Sequence, residues 1–283
     1  MLSMRTKVAF QGVHGAYSED AILQYFGPEV ETVPCAEFRD LFHAVDRGLA
    51  SMGVLPVENS IEGSVTVAND LLLESDLSVV GEVLVWVRHC LIGHPDAELT
   101  DVQKVYSHPQ ALGQCRNYLS KHPKWEKIPA FDTAGSVRMV KERGLREEAA
   151  IASRRAAEFY GMKVLKEDIQ NTAQNYTRFF VLDKNPPHNV AGDKTSLAFT
   201  TKNVPGALHK CIGAFSDHGV NITKLESRPR RERMWEYVFY VDIDGHISDP
   251  QVKEALIDLM RKASFVKIFG SYARAQLPEG SQS

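Results

Sequence analysis

The chain has 283 residues, with 33 Lys and Arg against 36 Asp and Glu for a formal net charge of −3. At about 150 residues per domain this length predicts two domains, and the near-balance of charge offers no footprint for nucleic acid or an anionic membrane. The most apolar stretch, Leu77 to Val87, is short and is interrupted by Gly81 and Glu82, which rules it out as a transmembrane helix. Met1 to Phe10 holds Arg5 and Lys7 without an apolar signal-peptide core. The cysteines, Cys35, Cys90, Cys115 and Cys211, form no Cys-x-x-Cys pair. Neither a zinc site nor a redox dithiol is indicated, and a reducing cytoplasm is the expected setting. Asn-x-Thr triplets at Asn175 and Asn221 read as chance matches in such a compartment.

In chain order, Lys7 to Phe10 is an apolar strand leading through a Gly-rich turn into a helix from Ser18 to Phe26. Phe38 to Arg47 reads as a helix, Met52 to Val57 as a short buried strand and Val79 to Leu91 as strand-rich. Asp101 to Tyr106 runs into a turn at His108-Pro109. Helices follow over Gln110 to Leu119, Ser136 to Arg143 and Ile151 to Tyr160. This alternation predicts an α/β fold with helices on both sheet faces. Ligands in such folds gather beyond the carboxyl ends of the strands.

Polar clusters fall at those turns. Gln11-Gly12-Val13-His14-Gly15-Ala16-Tyr17-Ser18 offers backbone N–H groups to an anion, or is a tight turn capped by Ser18. Pro56-Val57-Glu58-Asn59-Ser60-Ile61-Glu62-Gly63 supplies a carboxylate, an amide and a hydroxyl in succession, or is an Asx turn and helix cap. Ser107-His108-Pro109-Gln110 is followed at i+4 by Gln114, which puts both glutamines on one helix face. Asp132-Thr133-Ala134-Gly135-Ser136 reads as a helix start whose donors can point at an anion. Asn175-Tyr176-Thr177-Arg178-Phe179 opens an apolar strand. Arg178 there is either a carboxylate fork or half of a buried ion pair. No His-Glu-x-x-His, Gly-x-Ser-x-Gly elbow or spaced metal set occurs. What accumulates is hydroxyl, amide and Arg donors, suited to a small polyanion held by hydrogen bonds and position.

Asp183 to Lys194 is polar and rich in Pro, Asn and Gly, a linker signature. After it the pattern is strand (Thr195 to Thr201), helix capped by Asn203 with Pro205 in its first turn and stopped at Gly219, and strand (Val220 to Glu226). A turn over Arg228 to Arg233, a strand (Trp235 to Ile243), a helix from Asp249-Pro250 and a strand (Ser264 to Arg274) follow. This is the βαββαβ ferredoxin-like unit. With both helices on one sheet face, the other face is expected to be solvated or used for assembly. The basic run 228–233 reads as a solvated hairpin turn, given the negative overall charge.

Glu58-Asn59-Ser60-x-x-Gly63, Ser107-His108-Pro109-Gln110 with Gln114-Cys115, Asp132-Thr133-Ala134 and Thr177-Arg178-Phe179, followed by Gly206-Ala207-Leu208 and Glu226-Ser227-Arg228-Pro229, stand here in order. Together they resemble the bacterial monofunctional prephenate dehydratases with a C-terminal ACT regulatory domain. The resemblance runs from Val8 to about Arg274. Val13 and Ala16 stand where that family has Pro and Thr or Ser, which removes a donor from the first turn. His209 stands where the family has Val, placing a polar ring beside the amino-acid site.

The resemblance implies a two-lobed catalytic domain of the type-II periplasmic-binding-protein kind over residues 1–187, with crossings near Val87 and Lys166, and an ACT domain over 194–275. It implies decarboxylating dehydration of prephenate to phenylpyruvate, without cofactor or metal, in the cytoplasm. Thr177 would donate to the leaving hydroxyl and Arg178 would clamp a carboxylate. Phe179 would pack the wall, and Asn59, Ser107, Gln114 and Thr133 would orient substrate oxygens. Glu58, Ser60, His108, Gln110, Ala134 and Tyr17 would complete the substrate site. L-Phenylalanine, the feedback effector, would be bound by Gly206, Ala207, Leu208, His209, Asn221, Glu226, Ser227, Arg228 and Pro229 at paired ACT domains of a dimer or tetramer. No mutase segment is expected ahead of Val8. Arogenate dehydratase and a non-catalytic amino-acid sensor are the competing expectations.

Overall fold

The computed structural model describes residues 6–186, 191–229 and 236–277. They fall into two compact units, the first holding the described residues 6–68, 83–179 and 277, the second 69–82, 180–186, 191–229 and 236–276.

The chain starts with β1 (Lys7–Gln11), α1 (Tyr17–Phe26), β2 (Glu31–Cys35), α2 (Phe38–Asp46), β3 (Met52–Asn59), β4 (Gly63–Ser64), α3 (Thr66–Glu74) and β5 (Ser78–Trp86). Val8, Ala9 and Phe10 are fully buried. That continuous apolar run suits a parallel strand covered on both faces, and β1 pairs in parallel with both β2 and β3. The sheet order is β2-β1-β3-β11-β5, where β11 (Tyr176–Asp183) returns from later in the chain.

A second sheet, ordered β10-β6-β9-β7-β8, uses β6 (Cys90–Gly93), β7 (Lys104–Ser107), α4 (Pro109–Gln114), α5 (Arg116–Leu119), β8 (Glu126–Pro129), α6 (Thr133–Arg143), β9 (Glu148–Ala152), α7 (Arg154–Tyr160) and β10 (Lys163–Lys166). The chain leaves the first sheet after Trp86 and re-enters it at Tyr176, crossing over residues 87–89 and 167–175. The crossings are bonded to each other: Val87 N–H donates to Asn175 O at 2.7 Å.

Some element boundaries differ from the sequence reading. The strand-rich stretch from Val79 is divided between two sheets at the first crossing. Ile151 and Ala152 end β9, and the following helix starts at Arg154, where Ser153 Oγ accepts the Ala156 N–H at 3.1 Å. The helix over Gln110 to Leu119 is interrupted at Cys115, which ends α4 and caps α5.

The second unit contains β12 (Lys194–Thr200), α8 (Ala207–Asp217), β13 (Ile222–Pro229), β14 (Tyr237–Asp244), α9 (Pro250–Lys262) and β15 (Phe265–Tyr272). They form an antiparallel sheet ordered β13-β14-β12-β15. The α8 cap is Gly206 at φ +78°, in place of the expected Asn203. Left-handed geometry suits a residue without Cβ. Leu197, Phe199, Phe215, Val241 and Leu256 fill one core with α8 and α9. Residues 187–190 of the expected linker and 230–233 of the expected turn lie outside the described residues; Arg228 and Pro229 end β13.

The opposite face of this sheet is neither solvated nor open: residues 69–82 cover it. Tyr240 Oη donates to Asn69 O at 3.3 Å, and Lys267 Nζ donates to Leu73 O at 2.8 Å. Arg228 pairs with Asp70 at 3.3 Å. Lys194 donates to both Glu82 oxygens at 3.1 and 3.0 Å, and both side chains are largely buried. Gly270 permits the close approach, since a Cβ there would lie 2.0 Å from Val79 O. Gly270→Ala is therefore expected to lower stability by about 1–3 kcal/mol through overpacking, read as an earlier midpoint in urea unfolding. An unchanged midpoint would mean that β5 does not bear on β15 in this way.

Candidate active site

The two central strands of the first sheet bring Asn59 against the start of β11. Asn59 Oδ1 accepts the N–H groups of Ile61 and Glu62, each at 3.0 Å. This Asx turn fixes which end of the amide is oxygen. Its Nδ2 then faces Asn175 Oδ1 at 2.7 Å, Tyr176 O at 3.2 Å and Thr177 Oγ1 at 3.0 Å. Ser60 ties the same seam: its N–H donates to Tyr176 O at 2.8 Å, and its Oγ accepts the Tyr176 N–H at 2.9 Å.

Strand alternation sorts the next residues. Thr177 and Phe179 face a cavity of about 410 Å³. Arg178 points to the other side, buried, with Nη1 at 3.5 Å from Glu58 Oε2. The expected Arg178 clamp on a substrate carboxylate is thus replaced by a pair with the partly exposed Glu58, because neighbours on a strand cannot share a face. Neither of them lines the cavity.

The same cavity is lined by Tyr17, Asn59, His108, Gln110, Gln114 and Thr133 from the expected set. Ser107 is not among them: it is fully buried and its Oγ donates to Ile151 O at 2.6 Å. Ala134 is also fully buried, in the core under α6. Ser60 stands at the β3–β11 seam, outside the lining. A neighbouring cavity of about 730 Å³ shares Asn59, His108, Gln110 and Gln114 but adds Glu62 and Asn175 in place of the hydroxyls of Thr133 and Thr177.

No Lys or Arg lines the smaller cavity among the described residues. The first turns of α1 and α6 do reach the wall, through Tyr17, Ser18 and Thr133, but each carries carboxylates of its own: Glu19 and Asp20 on α1, and Asp132, which caps α6 and lines the cavity. The α1 turn is built on Glu19, which accepts the Gly15 N–H, His14 Nδ1–H and Thr32 Oγ1–H at 2.7 Å each. Burial works to raise the Glu19 pKa, yet the bonds from Gly15, His14 and Thr32 hold it below the ordinary value. Gly15 also meets the α7 start, with its carbonyl accepting Ser153 Oγ–H at 2.9 Å and no room for a Cβ beside Ala156.

Two further neighbours complete this wall: Asn175, which the sequence marked only as the start of a polar cluster, and His89, which it did not mark. Asn175 is fully buried and passes its Nδ2–H to Gln114 Oε1 at 3.1 Å. His89, 2% exposed and on the cavity wall, meets Gln114 Oε1 through Nε2 at 2.9 Å and Tyr17 Oη through Nδ1 at 3.0 Å. Both lie in the crossings, where no periodicity shows which way a side chain turns. Cysteine chemistry is absent from the site: burial pushes the Cys90 thiol up to about 11 and the Cys115 thiol to about 12, far from a usable thiolate.

The prephenate dehydratase family model matches residues 8–187, and the ACT domain model matches 195–259. This chain belongs to the prephenate dehydratase family. It is 39% identical over 279 residues to the bifunctional chorismate mutase/prephenate dehydratase of Aquifex aeolicus (strain VF5), covering 98% of this chain and 76% of the relative. It is 40% identical to arogenate dehydratase/prephenate dehydratase 2, chloroplastic, of Arabidopsis thaliana, covering 95% and 73%. Among solved structures, the prephenate dehydratase of Arthrobacter aurescens in complex with L-Phe is similar at TM-score 0.86 and 32% identity, covering 95% and 90%. A chain described as GqqA, a novel type of quorum quenching acylase, is similar at TM-score 0.87 and 35% identity, covering 95% and 98%. The fold is that of the family, a periplasmic-binding-protein-like α/β domain followed by a βαββαβ ACT domain.

In the ACT domain, Gly206, Ala207 and Leu208 form the α8 start, with Leu208 packed on the core and His209 exposed. Asn221 Nδ2 donates to Asp244 Oδ2 at 2.9 Å. Glu226 and Arg228 share the face turned toward residues 69–82, pairing with Lys224 at 3.5 Å and Asp70 at 3.3 Å. Ser227 alternates to the helix face, opposite Phe239 in the register, and Pro229 ends the strand.

The Asn59 amide is testable by itself. Asn59→Asp keeps the acceptor for Ile61 and Glu62 but turns a second oxygen on Asn175 Oδ1 and Tyr176 O. A loss of about 1–3 kcal/mol in urea unfolding is expected; unchanged unfolding would show that the Nδ2 bonds do not hold the seam.

Proposed function

We propose that the enzyme performs the decarboxylating dehydration of prephenate to phenylpyruvate in the cavity that Thr177 lines, and that L-phenylalanine regulates it through the ACT domain. The observation that carries the reading is the Asn59–Thr177 bond. Thr177 Oγ1 accepts from Asn59 Nδ2, so its own hydrogen is left to face the cavity.

The chemistry needs little more than position. The C1–carboxylate bond breaks to release CO2, its electron pair moves through the ring, and the C4–oxygen bond breaks as the ring becomes aromatic. The departing oxygen gathers negative charge and, with a proton drawn ultimately from solvent, leaves as water. Thr177 donates a hydrogen bond to that oxygen as the charge builds. Its hydroxyl is a weak acid, so it works by aim and not by a matched pKa. Gln114 and Thr133 are donors to the substrate carboxylates. Phe179 forms the apolar wall. Arg178 and Glu58 brace the strands from behind, and Ser107 and Ala134 support the loops that carry His108 and Thr133.

Thr177→Ala is expected to lower kcat by about 10²–10³-fold, while Thr177→Ser keeps most of the activity because the hydroxyl remains. Phenylpyruvate absorbance in strong base after incubation with prephenate is the readout. Near-normal turnover by Thr177→Ala would remove the residue from the mechanism. No phenylpyruvate from the wild type, with L-phenylalanine still binding, would favour an amino-acid sensor. Relatives carrying both dehydratase names make arogenate the second substrate to assay in parallel.

For regulation, the supporting observations are the ACT match and the L-Phe complex of a relative. Gly206 at φ +78° starts α8 where a side chain would be strained. The effector is taken up beside Gly206, Ala207, Leu208, Asn221 and Ser227 where two ACT domains pair, in a dimer or tetramer, and shifts the balance between conformations of unequal substrate affinity. Four free, buried cysteines support a cytoplasmic setting. Gly206→Val is expected to weaken L-phenylalanine inhibition at least tenfold while basal turnover stays within about twofold. Unaltered inhibition would put the effector elsewhere.

A further inference from the structure

The polar chain behind Gln114 has a direction, and it can be followed bond by bond from the backbone. The N–H groups of Ile61 and Glu62 can only donate, so the Asn59 oxygen faces them and its nitrogen faces Asn175. Asn175 must then present oxygen to Asn59 and nitrogen to Gln114. Gln114 therefore offers Oε1 both to Asn175 and to His89, and His89 Nε2 must carry a hydrogen.

At the far side of the ring the count comes up one proton short. Tyr17 Oη has a single hydrogen, and it faces Arg88 O at 2.7 Å and His89 Nδ1 at 3.0 Å. Arg88 O can only accept. If the Tyr17 hydrogen goes to this closer oxygen, an unprotonated Nδ1 confronts a phenol lone pair. If it goes to Nδ1, Arg88 O loses it. A second ring hydrogen satisfies every contact at once: Nδ1–H to Tyr17 Oη, Tyr17 O–H to Arg88 O, and Nε2–H to Gln114 Oε1.

This ring lies on the wall of a cavity that has no Lys or Arg in its lining among the described residues. Resting on the dehydratase reading above, we propose that His89 is the cation of the substrate pocket. It takes up a proton as the anionic substrate enters and holds it, as an imidazolium between Tyr17 and Gln114, until the product leaves.

The surroundings fit such a switch. Burial lowers the His89 pKa, opposed by the bond to Gln114, so negative charge added to this wall is what draws the second ring proton. Burial raises the Tyr17 pKa far above the ordinary phenol, with Asp20, Cys90 and Cys115 adding to it, so the phenol keeps its hydrogen. Other charges nearby are already engaged. Arg88 is held in a two-bond pair by Asp168, and Asp20 lies against Arg155 at 3.5 Å. Glu62 reaches the chain only through Gln114 Nε2 at 3.3 Å. His108 accepts the Gln110 N–H at 3.3 Å, and Asp132 caps α6. A bound dianion is the one strong unbalanced charge added to this wall.

The test combines proton counting with kinetics. Phenylpyruvate binding to the wild-type enzyme, measured by calorimetry in buffers of different ionisation heat, is expected to take up close to one proton per site near pH 7.5, and the uptake should vanish in His89→Gln. With prephenate, the wild-type KM should climb with pH by up to tenfold per unit between the free and bound pKa values of His89 and then level off. In His89→Gln, KM should be flat over the same range and raised, with kcat changed far less. A wild type that makes phenylpyruvate with no proton uptake and a pH-independent KM overturns the His89 proposal and leaves the dehydratase reading standing. The same holds if His89→Gln keeps the wild-type pH slope. A wild type that makes no phenylpyruvate brings down both. Should His89→Gln fail to fold, the wild-type proton count alone decides.

Discussion

One primary amide organises the site. Asn59 sits at the last position of β3 and works from both ends. Its oxygen takes two backbone N–H groups of the loop that follows, and its nitrogen reaches Asn175, Tyr176 and Thr177 at the start of β11. Aspartate supplies no donor at that distance and glutamine is a methylene too long, so the position demands this side chain. The orientation of Thr177, the polarity of Asn175 and Gln114, and the tautomer of His89 all follow from it. Buried polar chains of this kind are stabilising only when every member is satisfied, and here satisfaction and aim are the same requirement.

The second constraint is electrostatic. The cavity that Thr177 lines has no Lys or Arg in its wall among the described residues, and on the proposed function it must hold a dianion. With carboxylates already at both helix starts on this wall, the cationic part falls to the proposed proton on His89. Donors fixed by the fold do not have to reorganise as charge moves from a carboxylate to a departing oxygen. A permanent Arg beside the substrate would hold the ground state as firmly as the transition state. Arg178 is turned away to Glu58 and serves the sheet. The near-neutral net charge of the chain is consistent with a ligand field made locally.

Much of this was legible in the residues. The apolar runs placed β1 and β3, Gly219 marked the end of α8, and the βαββαβ order of the ACT domain followed from periodicity alone. The ordered motifs pointed to Asn59, Gln114, Thr133 and Thr177, which share one cavity. What failed had physical causes. Thr177-Arg178 reads as a pair of ligands in one dimension, but a strand sends neighbours to opposite faces. Ser107 reads as a free hydroxyl until β9 runs beside it and takes its proton at Ile151 O. His89 and Asn175 lie in irregular crossings, where no period exists to show which way a side chain turns. The covered face of the ACT sheet depends on residues 69–82, over a hundred positions earlier in the chain than the strands they cover, beyond the reach of local pattern.

Asn59 acts on turnover by aiming Thr177, while its bond to Asn175 leads toward the groups that hold the substrate. A double-mutant cycle in kcat with Asn59→Ala and Thr177→Ala measures the aiming directly. The prediction is strong non-additivity: once the Thr177 hydroxyl is gone, removing the amide that aims it costs little more. Two losses that simply multiply would contradict it, and would mean that Asn59 and Thr177 contribute to turnover independently.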